Sequence, residues 1–334
     1  MTPGDKTPAQ VTLADVAAAA GVGESTISRV LRNHGSFSGK MRERVMAAVE
    51  QLGYVPNRIA GTLASAGSQL VAMVVPSLSN IVFADVLRGA SSALEQTRHQ
   101  AVFAVTDYDP AREEAVVAAM LAWRPTAIML SGLEHTPGTV RMLKANGCRV
   151  VEMLDIDGMA LDMAVGFSNH AAGVASAHHL VARGYRRIGY VGHDPQRDKR
   201  AGKRFAGFRQ ALLAQGLELA DIDASAPASS VENGRTGLER ILARSPDLDA
   251  VYFSNDDMAL GGYFHCLANG ISIPTELAIF GYNGLDIGAV TPLPLSTIRT
   301  PRVEVGRVAA TLVVDNAPPQ VIDLGFELIE GATA

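Results

Sequence analysis

A block near the start of the chain, TLADVAAAAGVGESTISRVLRN over residues 12–33, constrains the fold more than any other feature. Its first apolar residues recur at the spacing of one helix face, and Thr12 with Asp15 forms an approximate capping box. A helix should therefore begin at Leu13. Gly21 suits the left-handed conformation in which a helix commonly ends. The block predicts two short helices joined by a tight turn.

The second helix of this block has an apolar stripe and a polar outer edge. Ile27, Val30 and Leu31 make the stripe. The outer edge gathers hydrogen-bond donors and acceptors, and it consists of Glu24, Ser25, Thr26, Ser28, Arg29 and Arg32. Such an edge is typical of a helix that docks on DNA in a helix-turn-helix. An ordinary helical hairpin is the alternative.

A third helix should follow. Ser38 can cap its start and Gly53 can end it. Its apolar face consists of Met41, Val45, Val49 and Leu52. Three helices within about fifty residues make a complete small DNA-binding unit, which weakens the hairpin alternative.

The segments VTLADVAAAAGV, TISRVLRN and LGYVPNRIAGTLAS resemble the lactose-repressor (LacI/GalR) family. The order of elements downstream resembles that family over essentially the whole chain. The resemblance implies that the second helix reads the major groove through Glu24, Ser25 and Arg29. It implies phosphate contacts by Thr12, Thr26, Ser28, Arg32 and Ser38. Gly23 departs from the Ser or Thr cap usual in the family, at a cost of only about a few tenths of a kcal/mol.

Residues 57–67, NRIAGTLASAG, form a linker with a weak helical tendency. An isolated helix this short is marginal in water, and its glycines weaken it further. The family resemblance implies paired hinge helices in the DNA minor groove, with the residue matching Leu63 wedged between base steps. Asn57 and Ala60 are further candidate DNA contacts. A plain Gly/Ala/Ser spacer is the alternative.

From residue 70 onward, short apolar runs alternate with stretches of helical pattern. The runs are LVAMVV, AVFAV, AIMLS, RVVEML, IGYVG, AVYFS and LAIFG. This alternation predicts an α/β fold of parallel sheets covered by helices. The resemblance implies a periplasmic-binding-protein-like core with two subdomains, about 68–167 and 168–298, and a final segment that crosses back. We therefore expect a helix-turn-helix domain at 1–56, a hinge at 57–67, and an effector-binding and dimerisation core at 68–334.

Ligands of open parallel sheets lie beyond the carboxyl ends of the strands, so the residues after each run are candidates. The first candidates are Ser77, Asn80, Phe83, Ser131 and Asp155. The later stretch HDPQRDKRAGKRF carries five basic residues within 197–204, and several must be solvated because one helix cannot direct all of them inward. Arg204 matches the ligand-binding arginine of the family, and Arg200 is the second candidate. A guanidinium offers paired donors for sugar hydroxyls or a carboxylate.

Two more motifs resemble the effector site of the family. SNDDMALG resembles ANDxMALG, which implies Asn255 on the ligand and Asp256 as a helix cap, capping being the alternative role for both. In FGYNGLDIG, Asn283 replaces an aspartate that accepts hydrogen bonds from sugar hydroxyls in many sugar-binding relatives. Loss of a buried carboxylate opposite basic residues favours an anionic ligand.

FGYNGLDIG, VVEMLD and the ending DLGFEL resemble the gluconate-repressor branch of the family. We therefore expect gluconate or a close sugar acid as effector, with a neutral sugar, a sugar phosphate or a purine as alternatives. The chain stops after GFELIEGATA without a heptad tail, which favours a homodimer on a palindromic operator. The sequence leaves open whether the effector relieves or strengthens repression.

Composition fits this arrangement once it is divided along the chain. The 334 residues leave room for about two to three domains, and 48% apolar with 19% charged residues describe a well-cored protein. The net charge of −5 separates into +2 over residues 1–67 and −7 over residues 68–334. Because the first domain is only weakly basic, dimerisation and the hinge should supply much of the specific DNA binding.

Other functional classes find little support. GxSxG, GxxxxGK[ST], HExxH and GxGxxG motifs are absent from the sequence, so we predict no enzyme, no catalytic residue, no cofactor and no metal site. Cys148 and Cys266 lack metal-binding spacing. A periplasmic solute-binding protein would share the two-lobed core, but the start MTPGDKTPAQ has no secretory pattern and no apolar run is long enough for a membrane span. We expect a cytoplasmic protein with no membrane partner.

Overall fold

The computed structural model describes residues 11–31, 35–55, 68–226 and 228–334. The chain divides into two compact units, residues 1–68 and 69–334. Four of the predicted DNA contacts lie outside the described residues: Arg32, Asn57, Ala60 and Leu63.

The described residues of the small unit form three helices: α1 (Leu13–Ala20), α2 (Glu24–Leu31) and α3 (Gly39–Leu52). The predicted start of α1 is confirmed, and its capping box is complete because Thr12 and Asp15 each accept the backbone N–H of the other. Gly21 ends this helix in the left-handed conformation, with φ of 62°. The core of the unit is formed by apolar side chains from all three helices, among them Val16, Ile27 and Val45, which are fully buried.

The large unit alternates strands and helices along the chain. Its elements are β1 (Leu70–Val75), α4 (Ile81–Leu94), β2 (Gln100–Val105), α5 (Pro110–Leu121), β3 (Ala127–Ser131), α6 (Pro137–Asn146), β4 (Arg149–Met153), β5 (Met163–Gly166), α7 (Asn169–Ala182), β6 (Ile188–His193), α8 (Lys199–Ala214), β7 (Asp221–Ala226), α9 (Val231–Arg244), β8 (Ala250–Phe253), α10 (Asp256–Asn269), β9 (Ala278–Asn283), α11 (Asp286–Ala289), β10 (Ser296–Arg299), α12 (Arg302–Val314), β11 (Val321–Asp323) and β12 (Glu327–Ile329).

The strands form two six-stranded sheets, each of which defines a lobe. The sheet of the first lobe has the order β11-β5-β4-β3-β1-β2 and is parallel throughout. The sheet of the second lobe has the order β12-β10-β9-β8-β6-β7, and only β12 is antiparallel to its neighbour. Helix α12 crosses back to pack on α4 and the first sheet, while α7 packs on α8 and α9 on α10. The predicted α/β fold is confirmed.

The seven apolar runs all became strands, whereas five further strands lacked a comparable signal. β7 reads DIDASA and β11 only VID, so their hydrophobicity does not distinguish them from loops. They are strands because a neighbouring strand offers its free backbone edge. Across the described ranges, no helix combines the length and the apolar character needed to cross a bilayer.

Candidate functional site

Helix α2 presents the polar edge that the sequence predicted. Glu24, Ser25 and Arg29 are exposed. The helix starts without a side-chain cap because Gly23 has no side chain, and the Gly23 carbonyl accepts the backbone N–H groups of Thr26 and Ile27. The Arg29 guanidinium lies 5.4 Å from the centre of the Phe37 ring.

Of the predicted phosphate contacts, Thr12 and Ser38 lie at helix starts. Thr26 and Ser28 are half-buried on α2. Thr12 caps α1, and the Ser38 hydroxyl accepts the Met41 N–H at 3.3 Å as the cap of α3. N-terminal helix turns favour anions, so these positions suit phosphate binding.

A pocket of about 330 Å³, counting its open mouth, lies where strand ends and helix starts of the two lobes of the large unit meet. It is lined by Asn80, Val82, Phe83, Leu154, Phe167, Asn169, Asp198, Arg200, Arg204, Asn255, Tyr282, Asn283 and Thr300. Six of the predicted ligand contacts are in this lining: Asn80, Phe83, Arg200, Arg204, Asn255 and Asn283.

Arg204 is the most constrained of these side chains. It projects from α8, is 5% exposed, and places its guanidinium 3.9 Å from the centre of the Tyr282 ring. Nη1 donates to Asn169 Oδ1 at 3.0 Å, and Nη2 donates to Asn255 Oδ1 at 3.4 Å and to the Ser254 carbonyl at 3.3 Å. Among the described residues, its Nε has no hydrogen-bond partner. The packing holds a full positive charge against the pocket.

Arg200 lies one helical turn earlier, beside a buried carboxylate. Its Nε is 3.6 Å from Asp198 Oδ1, and its guanidinium lies 5.1 Å from the centre of the Phe83 ring. Burial alone would raise the pKa of Asp198, but Arg200, His193 and Arg204 outweigh it and hold that pKa well below its usual range. Asp198 also caps α8 by accepting the N–H groups of Arg200 and Ala201. It therefore stays ionised and neutralises part of the positive charge.

Asn255 and Asn283 meet beside Arg204 in the pocket lining. Asn283 Nδ2 donates to Asn255 Oδ1 at 3.3 Å. The expectation that Asp256 caps α10 is wrong, because the helix starts at Asp256 itself and Asn255, at the cap position, makes no capping bond. Asp256 is fully buried and accepts the N–H of Leu285 at 2.7 Å and the hydroxyl of Thr297 at 2.6 Å.

The structure does not bring Ser77, Ser131 or Asp155 into the lining. Ser77 bonds the Ser79 hydroxyl at 2.9 Å, and Ser131 lies 3.5 Å from the Val74 carbonyl. Asp155 is fully buried and forms an ion pair with Lys203, which also reaches Glu134 at 2.7 Å. Asp155 was a ligand candidate because of its position after a strand, but its carboxylate instead pairs with the Lys203 ammonium on α8.

Asp198 and Tyr282 lie within 193–204 and 282–283, stretches after predicted strands where ligand contacts were expected, although neither was singled out. Other lining residues were missed by sequence reasoning. Asn169 and Thr300 follow β5 and β10, strands without a clear apolar signal, and Leu154 and Phe167 read as ordinary core residues.

The comparisons with known proteins agree with this architecture. Residues 12–57 match the family described as bacterial regulatory proteins, lacI family, and residues 177–334 match the periplasmic binding protein-like domain. The chain is 36% identical over 326 residues to the HTH-type transcriptional regulator GntR of Escherichia coli strain K12, covering 96% of this chain and 98% of that protein.

Two solved structures extend the match. The crystal structure of a LacI-family transcriptional regulator from Silicibacter pomeroyi is 43% identical and superposes with a TM-score of 0.93, covering 97% of this chain and 99% of the other. The lac repressor dimer bound to operator and the anti-inducer ONPF has the same fold, with a TM-score of 0.82 at 23% identity, covering 97% and 99% of the two chains. These relatives are regulators and not enzymes. The chain belongs to the LacI family of DNA-binding transcriptional regulators.

Proposed function

We propose that this regulator represses transcription as a homodimer on a palindromic operator, in the cytoplasm where that DNA lies, and responds to a small sugar acid such as gluconate. The buried Arg204 carries the effector part of the proposal. Its Nε, together with the Thr300 hydroxyl, is a buried polar group in the pocket lining for which the described residues offer no partner. Buried donors of this kind favour a ligand that supplies acceptors.

The charge of the pocket supports an acid over a neutral sugar. Arg200 and Arg204 line it, and among the described lining residues the single carboxylate is Asp198, which already pairs with His193 and caps α8. A ligand carboxylate would find two guanidiniums whose charges Asp198 only partly offsets. Asn80, Asn169 and Asn255 supply the amides that sugar hydroxyls need.

Replacing Asn283 by Asp should weaken gluconate binding about tenfold or more, because it places a second carboxylate in a buried site where like charges repel strongly. Isothermal titration of both proteins with gluconate measures the effect. Asp286→Asn, a charge change in the nearby helix α11, serves as the control and should leave the affinity unchanged. Tighter gluconate binding by the Asn283→Asp protein would refute the charge argument.

The effector identity has clear rivals. A neutral sugar, a sugar phosphate or a purine would use the same amides and guanidiniums in other combinations. Titration with glucose, galactose, a hexose phosphate and a purine beside gluconate separates them. Tight binding of one of these, with gluconate ignored, would replace the acid assignment and leave the operator proposal standing.

A homodimer is supported by apolar side chains that the described part of the large unit leaves in solvent. Phe264 and Leu267 lie one turn apart on α10 and are 46% and 53% exposed. Ile287 and Val290, around α11, are 52% and 79% exposed. Exposed apolar faces of this kind mark association surfaces, and a two-fold dimer presents two identical reading helices.

Replacing Arg29 by Ala should weaken operator binding by about 1 to 3 kcal/mol, or roughly fivefold to 150-fold, by removing base or phosphate contacts. Footprinting of bound genomic DNA should first identify an inverted repeat, and fluorescence anisotropy then gives the affinities of both proteins. Arg88→Ala, an exposed arginine of the large unit, is the control. Equal operator affinity of the Arg29→Ala protein and the wild type would contradict the assignment, as would protection of one asymmetric half-site.

A further inference from the structure

Arg302 is a buried arginine that joins the two lobes beside the pocket without lining it. It is the first residue of α12, the helix that packs on the first lobe, and is 8% exposed. Its Nε donates to Asp85 Oδ2 on α4 at 2.8 Å. Its Nη1 donates to the backbone carbonyl of Asn283, the last residue of β9 in the second lobe. One guanidinium thus ties a carboxylate of one lobe to the main chain of the other.

The backbone at Asn283 is in a region that side chains rarely adopt. Its φ is +117°, and Gly284 follows with φ of +66°. A residue with a Cβ stays in such a conformation only where its surroundings hold it there. Here the carbonyl is held by Arg302 and by the N–H of Thr300 at 3.4 Å.

This backbone conformation sets the direction of the Asn283 amide. Its Nδ2 reaches Asn255 Oδ1, which is the same oxygen that accepts Arg204 Nη2. A continuous set of buried contacts therefore runs from Asp85 through Arg302 and Asn283 to Asn255 and Arg204. A change of the backbone at Asn283 would misplace the amide that faces the effector.

We propose that Arg302, held by Asp85, is a positioning residue that keeps Asn283 in its effector-binding conformation. The inference rests on the proposed function, because it assigns Asn283 to the effector site. Arg302 acts through Asn283 and does not touch the ligand. The Asp85 carboxylate orients the planar guanidinium of Arg302. A lysine cannot replace this group, because its ammonium does not hold two donors at the fixed separation of a guanidinium.

A double-mutant cycle with gluconate as the probe tests this, using the full-length protein and isothermal titration. Arg302→Lys should weaken gluconate binding tenfold or more, and Asp85→Asn should weaken it by a smaller factor. Asn283→Gly removes the amide and tolerates the positive φ, so Arg302→Lys added to it should change the affinity less than twofold. Arg299→Lys is the control, because Arg299 is exposed and pairs with Glu327; this change should leave the gluconate affinity unaltered.

If Arg302→Lys weakens gluconate binding by the same factor in both backgrounds, or in neither, Arg302 does not act through Asn283 and the inference is wrong. A second measurement needs no ligand. In a crystal structure of the Arg302→Lys protein, the φ of Asn283 should differ from +117°, and its amide should no longer donate to Asn255. If the Arg302→Lys protein does not fold, the Asp85→Asn protein is used instead. An unchanged Asn283 would overturn the inference. If the wild type ignores gluconate, the proposed effector fails, and the crystal structure alone decides the role of Arg302.

Discussion

Replacing Arg204 by Ala should weaken gluconate binding at least about 100-fold and abolish the effector response, while operator binding without effector stays unchanged. The substitution removes a buried guanidinium and its charge-assisted hydrogen bonds, which contribute about 1.5 to 3 kcal/mol each. It also removes one of the charges that hold the pKa of Asp198 low, so this pKa should rise toward its usual range. Isothermal titration gives the affinity, and anisotropy on labelled operator gives the response.

The control for this prediction is Lys199→Ala. Lys199 is exposed in the first turn of the same helix, and its ammonium lies 3.3 Å from Gln196. The control protein should bind gluconate as the wild type does. Thermal unfolding of the Arg204→Ala protein shows whether the core is intact. An intact Arg204→Ala protein that still binds gluconate tightly, or still responds to it on the operator, would rule out Arg204 as the effector arginine.

Replacing Gly306 by Ala should destabilise the large unit by about 3 kcal/mol, the upper part of the range for overpacked cores. A Cβ at this position would lie 1.9 Å from the Val86 carbonyl oxygen on α4, and a Cβ at Gly89 of α4 would lie equally close to the Val303 carbonyl oxygen of α12. Helix propensity alone predicts the opposite sign, since Ala is favoured over Gly by about 1 kcal/mol within a helix. The sign of the change therefore decides between close helix packing and local propensity.

Urea unfolding followed by tryptophan fluorescence measures this change, because Trp123 is the single tryptophan of the chain and lies in the first lobe. Arg307→Ala, at the next and exposed position of the same helix, is the control and should leave the unfolding midpoint near that of the wild type. A Gly306→Ala protein as stable as the wild type, or more stable, would show that α4 and α12 do not pack through these glycines.

The DNA-binding unit could be predicted almost entirely from the sequence, because local signals decide it. The capping box at Thr12, the left-handed Gly21 and the apolar stripe of Ile27 and Val30 each act within a few residues of the chain. The sequence also predicted those strands of the two sheets that consist of strong apolar runs. Arg204 was found because RFAGF resembles the motif of the ligand-binding arginine in the family, and the structure places it in the pocket lining.

Only the tertiary structure decided which polar groups share the pocket. Asp155 and Asn283 both lie at the carboxyl ends of strands, yet Asp155 pairs with Lys203 of the other lobe while Asn283 lines the pocket. Thr300 and Asn169 enter the lining because β10 pairs beside β9 and β5 pairs beside β4, which brings the residues after these strands to the pocket. The carbonyl of Asn283 accepts a hydrogen bond from Arg302, which follows it by nineteen residues but lies on a helix that packs on the opposite lobe. Pattern and spacing determine elements, whereas the partner of a buried charge depends on which elements the folded sheets bring within hydrogen-bond distance.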